Sequence, residues 1–411
     1  IISDFISVIK VSQKSFVCKI QKAGIYSVCF CILHTILFFS ERRTLDTNKE
    51  KGDANMNYPF CPEEELKDVG KFRPVPKPYG VPSFPVRKFN TPITPKENFL
   101  RLARGEKPLW MPNFSVDFNC LQPMVMPDAY ARTYGGTDWF GIEWQYEELS
   151  RAAMVKPGTR RLSDIVNWEK ELVFPDLKAI DWKKDYQEHY ADLMEPDRAT
   201  TFIIVNGCFE RLADLTSFED TFCYLLEEPE AVGDFFEKLT DFHIELFKIA
   251  REVYHADAIT FHDDMGTQIN SFMSPATFRE VLLPHYKRMN QAAHNMGLYM
   301  ILHSCGCVGN QMENFCDTGF DFWEGQDNCN DKTALLKQTT SRMGQVSIFQ
   351  PPAEMDGEEL RQYVENHVKT MAEAGRYMPW VVNTNPGRKV DINEVIYVTS
   401  RKLYCGETEE K

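Results

Sequence analysis

Residues 302–309 read LHSCGCVG, the stretch of the chain best equipped for chemistry. His303 and Cys305 are two residues apart, so in an extended backbone their side chains leave the same face. An imidazole and a thiolate on one face can supply two ligands of a Zn2+ site. Gly306 permits a sharp turn after them and the close approach of a ligand. Cys307 is next in register, past that glycine. A second cluster, FHDDMGTQ at 261–268, ends another apolar run. His262 and Asp264 share one side of it, and Asp263 leaves the other. One carboxylate can therefore face a cavity while its neighbour caps the following loop. Asp264 and Asp263 are both candidate acid–base residues. A third cluster, FWEGQDN at 322–328, alternates Glu324 and Gln326 with Trp323 and Gly325. Glu324 fits a third metal ligand, an acid–base group or a salt bridge at a rim. Metal ligation is thus expected from His303, Cys305 and Glu324. His262, Gln268, Trp144, Glu143, Asn206 and Gln326, at or just past the ends of apolar segments, are the candidate substrate-binding residues.

Eight short apolar or β-rich segments must carry these groups: 109–114, 139–144, 201–206, 257–262, 298–303, 320–324, 346–350 and 379–383. Pro112 interrupts the first. Helical patterns lie between them. Thr94, Pro95 and Glu97 form a capping box. Ser274 and Pro275 open a helix predicted over 275–296, which Gly297 ends. Apolar residues recur at spacings of three and four over 229–253 and 357–375. Strands alternating with helices imply parallel pairing with right-handed crossovers. The expected fold class is α/β, a closed (β/α)8 TIM barrel. An open doubly wound sheet is the alternative, but no Gly-rich phosphate loop follows any of the strands. In a parallel barrel the functional residues lie at the C-terminal strand ends, where all three clusters fall.

The 411 residues carry a formal net charge of -14. That balance argues against nucleic acid or an anionic membrane as partner, since phosphate binding needs clustered Lys and Arg. Twelve cysteines in a chain of this length do not make a disulfide scaffold. Most of them read as small buried hydrophobes in a reducing, cytoplasmic setting. An apolar run over 25–40 is short for a membrane span and contains His34. No Met precedes Met56, so residues 1–55 are expected to be translated upstream sequence, not part of the folded protein. Residues 56–95 are expected to form a Pro-rich arm, and 96–411 the catalytic barrel, with an excursion at 145–200.

Residues 96–400 resemble the uroporphyrinogen decarboxylase superfamily. The resemblance is carried by NFLRLARGEKPLWMP, by DDMGTQINSFMSPATFREVLLPHYKRM and by HSCGCV. It implies a (β/α)8 barrel and one of two chemistries. The decarboxylase branch grips its substrate with an Arg-rich loop after the first strand; here that stretch reads MPNFSVDFN and holds no Arg. Near the last strand, where that branch has a His, this chain reads VVNTNPGR. Arg132, Arg211 and Arg279 are the cations that a decarboxylase cavity could draw on. The other branch, cobalamin-dependent methyltransferases, binds zinc through His-x-Cys and a Cys on the last strand. His303-Ser304-Cys305 matches the first part, whereas Asn383, Thr384 and Asn385 stand where the second Cys would be. Glu324, Asp264 and Cys307 are the candidates for its place. GTDWFGIEWQYE and DDMGTQ are similar to a subgroup associated with O-demethylation of methoxylated compounds. The resemblance therefore implies a zinc-assisted methyltransferase working between a small methylated substrate and a corrinoid. A separate protein would supply the corrinoid, since no Asp-x-His-x-x-Gly motif is present. The alternatives are uroporphyrinogen decarboxylation and a non-catalytic barrel that binds a corrinoid protein.

Overall fold

The computed structural model describes residues 58–78, 84–149, 152–325 and 328–406. The expectation for residues 1–55 lies outside them. Seven parallel strands form a curled sheet whose spatial order follows the chain. They are β1 (Phe118–Leu121), β2 (Ala199–Ile204), β3 (Ala258–His262), β4 (Tyr299–His303), β5 (Phe322–Gly325), β6 (Gly344–Phe349) and β7 (Tyr377–Val381). Helices fill the crossovers, which makes the fold TIM-barrel-like α/β. Six of the eight expected segments are strands of this sheet.

The other two are not, and in each an Asp side chain captures the local backbone. In 109–114, Pro112 has no N–H to give a ladder. Asp117 accepts from the Trp110 indole (3.0 Å) and the Asn113 N–H (2.9 Å), which folds the segment into a turn. The strand begins only at Phe118. Residues 114 and 115 instead reach the far edge of the sheet: Phe114 N–H donates to the Pro379 carbonyl (2.9 Å) and Ser115 Oγ to that of Val381 (3.1 Å). In 139–144, Asp138 accepts the N–H groups of Phe140 and Ile142 (3.0 and 2.9 Å), and a loop results. Its end joins a separate antiparallel sheet of Gly136–Thr137, Glu143–Glu147 and Ala152–Val155. That small sheet and several short helices fill the long connection from β1 to β2, so the excursion starts well before residue 145.

Alternate residues divide the core. Phe118, Ala199, Ala258, Ile301, Phe322, Val346 and Met378 form one apolar layer, which also takes in Phe99 and Leu102. Those two come from α1 (Pro95–Ala103), whose N-cap Thr94 accepts from Glu97 N–H (3.1 Å), as the capping box predicts. On the opposite face Ile259, Phe261 and Leu302 pack with the helices. Among these is α4 (Pro229–Glu252), which buries Val232, Phe235, Phe236, Leu239 and Leu246. The helix expected over 275–296 is two, α5 (Pro275–Val281) and α6 (Leu283–Asn295), because Pro284 starts a new helix where it cannot continue the old one. α7 (Gly357–Ala374) and α8 (Ile392–Cys405) close the chain. The N-terminal arm docks on α8, where buried Glu65 meets the Arg401 guanidinium (2.7 and 2.8 Å) and the Tyr397 hydroxyl (2.5 Å). No helix among the described residues is long and apolar enough to cross a membrane.

Candidate active site

The parallel register sets the site. His262, His303 and Glu324 are direct neighbours across β3, β4 and β5. In-register residues of adjacent strands point to the same face. The two imidazoles therefore stack, with ring centroids 3.9 Å apart and planes 15° from parallel. Glu324, 1% exposed, holds the Nδ1 of His303 at 3.0 Å. Two residues further on the same face come Asp264 and Cys305. Cys305 Sγ lies 3.4 Å from His303 Nε2, and an Asp264 oxygen lies 3.6 Å from it. That same oxygen accepts the Cys305 N–H (2.8 Å). Atoms of His262, Asp264 and His303 that could ligate a metal all fall within 4.8 Å of one another.

Two turns carry this cluster and lock each other. Ser304 Oγ accepts from Met265 N–H (3.0 Å), and the Thr267 carbonyl from Cys307 N–H (2.7 Å). Gly306 takes φ +86°, and a Cβ there would overlap the Gly266 backbone. Asn330 pins the same turn, accepting from Val308 and Gly309 N–H and donating to the Gly306 carbonyl.

Asp263 diverges from Asp264, as adjacency requires, but toward a helix instead of the loop at Thr267. It is wholly buried and accepts the N–H groups of Phe209 and Glu210 (3.0 and 2.8 Å) at the start of α3 (Cys208–Leu215), with the Tyr286 hydroxyl on the same carboxylate. Burial and the Glu210 charge push its pKa up to about 8. A catalytic role in the cavity does not fit this placement, since its oxygens are spent on the helix start. Glu324 sits behind His303, on the ring nitrogen opposite Cys305, so it fixes the His303 ring where direct ligation was expected. Cys307 is bonded to Cys329, which removes it from the candidates for a third ligand. Of the free cysteines described, Cys208 and Cys316 are buried; the rest reach some solvent.

The expected substrate-binding residues scatter. His262 belongs to the cluster. Asn206, just past β2 at φ 61°, is buried and accepts from Arg132. Arg132 comes from α2 (Pro127–Tyr134) and also reaches Glu210. Trp144 lies under the Arg132 guanidinium (5.6 Å), its indole donating to Asp138 (3.2 Å). Glu143 is exposed and paired with Lys156 (2.7 Å). Glu143 and Trp144 line an open depression of about 430 Å3 on the small sheet, apart from the cluster. Gln268 is exposed on the loop after β3, and Gln326 lies outside the described residues. Of the three arginines considered for a decarboxylase cavity, Arg132 reaches the cluster but is paired with Glu210, and the other two are engaged elsewhere. Arg211 is buried between Asp128 and Asp138, and Arg279 pairs with Asp317 on the outer surface.

Glu210 was not anticipated. It is buried, holds the Nδ1 of His262 at 2.9 Å and takes both amino groups of Arg132 at 3.1 Å. Burial would raise its pKa, but Arg132 and His262 outweigh that and hold it well below the usual carboxylate range. At His303 burial disfavours the imidazolium, yet Glu324, the Cys305 thiol and Asp264 together hold the pKa well above the usual range. Such a pocket is rich in negative charge and in N, O and S donors. These residues fit a divalent zinc ion. Both imidazoles have Nδ1 fixed by a buried carboxylate, the arrangement that orients histidine ligands around metals.

An α/β barrel with this donor set at its C-terminal strand ends is the architecture of a site for chemistry on small molecules. The uroporphyrinogen decarboxylase (URO-D) family model matches residues 139–387, over half of the chain, and the protein belongs to that family. Among solved structures, a methyltransferase from Methanosarcina mazei is 16% identical with a TM-score of 0.53. The match covers 76% of this chain and 99% of that one. A sugar phosphate isomerase/epimerase from Parabacteroides distasonis is 13% identical with a TM-score of 0.30, over 57% and 79% of the two chains. None of the curated proteins searched matches the chain.

Proposed function

We propose that the chain is a zinc-assisted methyltransferase of this family. It moves a methyl group between a small methylated substrate, such as a methoxylated aromatic, and a corrinoid carried by a partner protein. The observation that carries the reading is the convergence of His303 Nε2 and Cys305 Sγ, 3.4 Å apart at the end of β4, with Asp264 beside them. The likeness in fold to a methyltransferase supports the choice of branch. The tethered state of Arg211 and Arg279 disfavours decarboxylation of a many-carboxylate substrate.

In this reading His303 and Cys305 hold the metal. When bound, zinc supplies a Lewis acid for the heteroatom that gives or takes the methyl group. Glu324 fixes the His303 ring and keeps Nε2 turned to the cluster. Asp264, 30% exposed, is the carboxylate of the cluster that substrate can reach. It can pass a proton to a departing phenolate oxygen or complete the ligand set.

The test is zinc content of the purified chain and methyl transfer from methoxylated aromatics to free cob(I)alamin, followed by its absorbance. About one zinc per chain is expected, and His303→Ala should lower transfer by about 100-fold or more. A chain that takes up no zinc, with transfer unchanged in His303→Ala, would overturn the reading.

A further inference from the structure

We infer that His262 is a further ligand to the ion that His303, Cys305 and Asp264 hold, and that Glu210, balanced by Arg132, is the residue that positions it. The inference rests on the metal reading above and adds to its ligand set and its supporting structure.

The argument is the symmetry between the two imidazoles. Each leaves the same face of a neighbouring strand, and register brings them into a parallel stack at 3.9 Å. Each has a buried carboxylate on Nδ1, Glu324 at 3.0 Å and Glu210 at 2.9 Å. Engagement of Nδ1 leaves Nε2 as the ligating atom in both rings. The ligating atoms of both lie within 4.8 Å of each other and of an Asp264 oxygen. Those three converge as they stand; Cys305 Sγ, 3.4 Å from His303 Nε2 but outside that mutually close set, is the fourth donor that a tetrahedral zinc would draw in.

The Glu210 side is built at some cost, which a packing role alone does not explain. A buried carboxylate is expensive unless it is paired and hydrogen-bonded. Here the protein brings in a guanidinium from a different part of the chain to balance it: Arg132 on α2, in the long connection between β1 and β2. The start of α3 aims Glu210 back at β3. That start is fixed by Asp263 on the Phe209 and Glu210 N–H groups, and by Gly207, where a Cβ would meet the Asp263 side chain at 2.5–2.6 Å. The relay Arg132–Glu210–His262 thus joins the β1–β2 connection to the metal position. Occupancy of the ion and the seating of α2 are coupled through it.

The experiment uses the full chain, freed of metal and titrated with zinc alone against a chromophoric chelator, with cobalt(II) as a spectroscopic substitute. Glu210→Gln keeps size and removes charge; a loss of zinc affinity of about 10–100-fold is expected, similar to that of Glu324→Gln. Glu210→Asp keeps the partner of Arg132 and should fall between wild type and Glu210→Gln, and it serves as the reporter should the Gln form fold poorly. X-ray absorption of the zinc form should show one sulfur and three N or O neighbours, with one imidazole fewer in His262→Gln. The cobalt bands should shift in His262→Gln and keep their thiolate component, which Cys305→Ala should abolish. Unchanged zinc affinity and unchanged cobalt spectra in folded Glu210→Gln and His262→Gln would overturn the inference and leave a purely structural ion pair. A wild-type chain that binds no zinc would overturn it together with the proposed function. Zinc bound through His262 with no methyl transfer from any donor would support it while the proposed function fails.

Discussion

Among the described residues, His262 and His303 differ in chemical kind from buried His243 and half-buried His367, and the distinction separates site from packing. His262 and His303 each have a buried carboxylate on Nδ1. His243 is buried edge-on to Phe261, and its Nδ1 has no hydrogen-bond partner among the described residues; burial pulls its pKa down to about 3. His367 lies flat on Phe349 at 4.0 Å with the Tyr377 hydroxyl at Nε2, and burial together with the Lys332 charge lowers its pKa to about 4. A histidine lowered in this way is neutral in the fold, whereas the unfolded chain takes up a proton near pH 6.5. Its contribution to stability is therefore complete above that pH and is lost as pH falls toward about 4. In urea unfolding at pH 7 and pH 5, His367→Gln should remove about 2 kcal/mol of the wild-type loss between the two. Equal losses in the two proteins would contradict the neutral state of His367. At this scale the sequence reveals the His303–Cys305 and His262–Asp264 pairs, because alternation alone puts i and i+2 on one face. It hides Glu210 and the part Arg132 plays, since the chain from Arg132 through Glu210 to His262 depends on how α3 and α2 leave the sheet, which no local spacing encodes.

At the scale of elements, the strands that bear the chemistry were legible and the first two expected strands were not. Apolar content is the same in both groups. The difference lies with Asp117 and Asp138, whose carboxylates take backbone N–H groups that a ladder would need. The adjacent pair Asp263–Asp264 was legible as divergent, while the target of Asp263, the first turn of α3, was not. The turn after β4 offers a direct test. Gly306 sits in the left-handed region against the Gly266 backbone, and its neighbours Cys305 and Cys307 are both bonded to the turn after β3. Gly306→Ala must push the two turns apart. It should cost about 3 kcal/mol or more in denaturant unfolding and weaken zinc binding as well. Gly233, in α4 with open space where a Cβ would go, is the counterpart. Its replacement by Ala should stabilise the protein by about 0.5–1 kcal/mol and leave zinc binding unchanged.

For the molecule as a whole, the class of architecture followed from strands alternating with helices, and composition added only the expectation, from a charge of -14, of a partner other than nucleic acid. The number of strands did not follow, because the ring is completed by a segment that is not a strand. Between β7 and the start of β1 the bridge rests on Phe114 N–H and Ser115 Oγ, whereas β3 is in register with β4 over five residue pairs. A ring is as resistant to local opening as its least-bonded joint. In native-state deuterium exchange the amide of Phe114 should therefore lose its protection orders of magnitude sooner than those of Thr260 and Phe261; equal protection would show the joint to be as firm as the ladder. Because β1 also leads into the connection that carries Arg132, breathing at this joint would reach the His262–His303 cluster from the side, through the guanidinium, while the strands that hold the imidazoles stay shut.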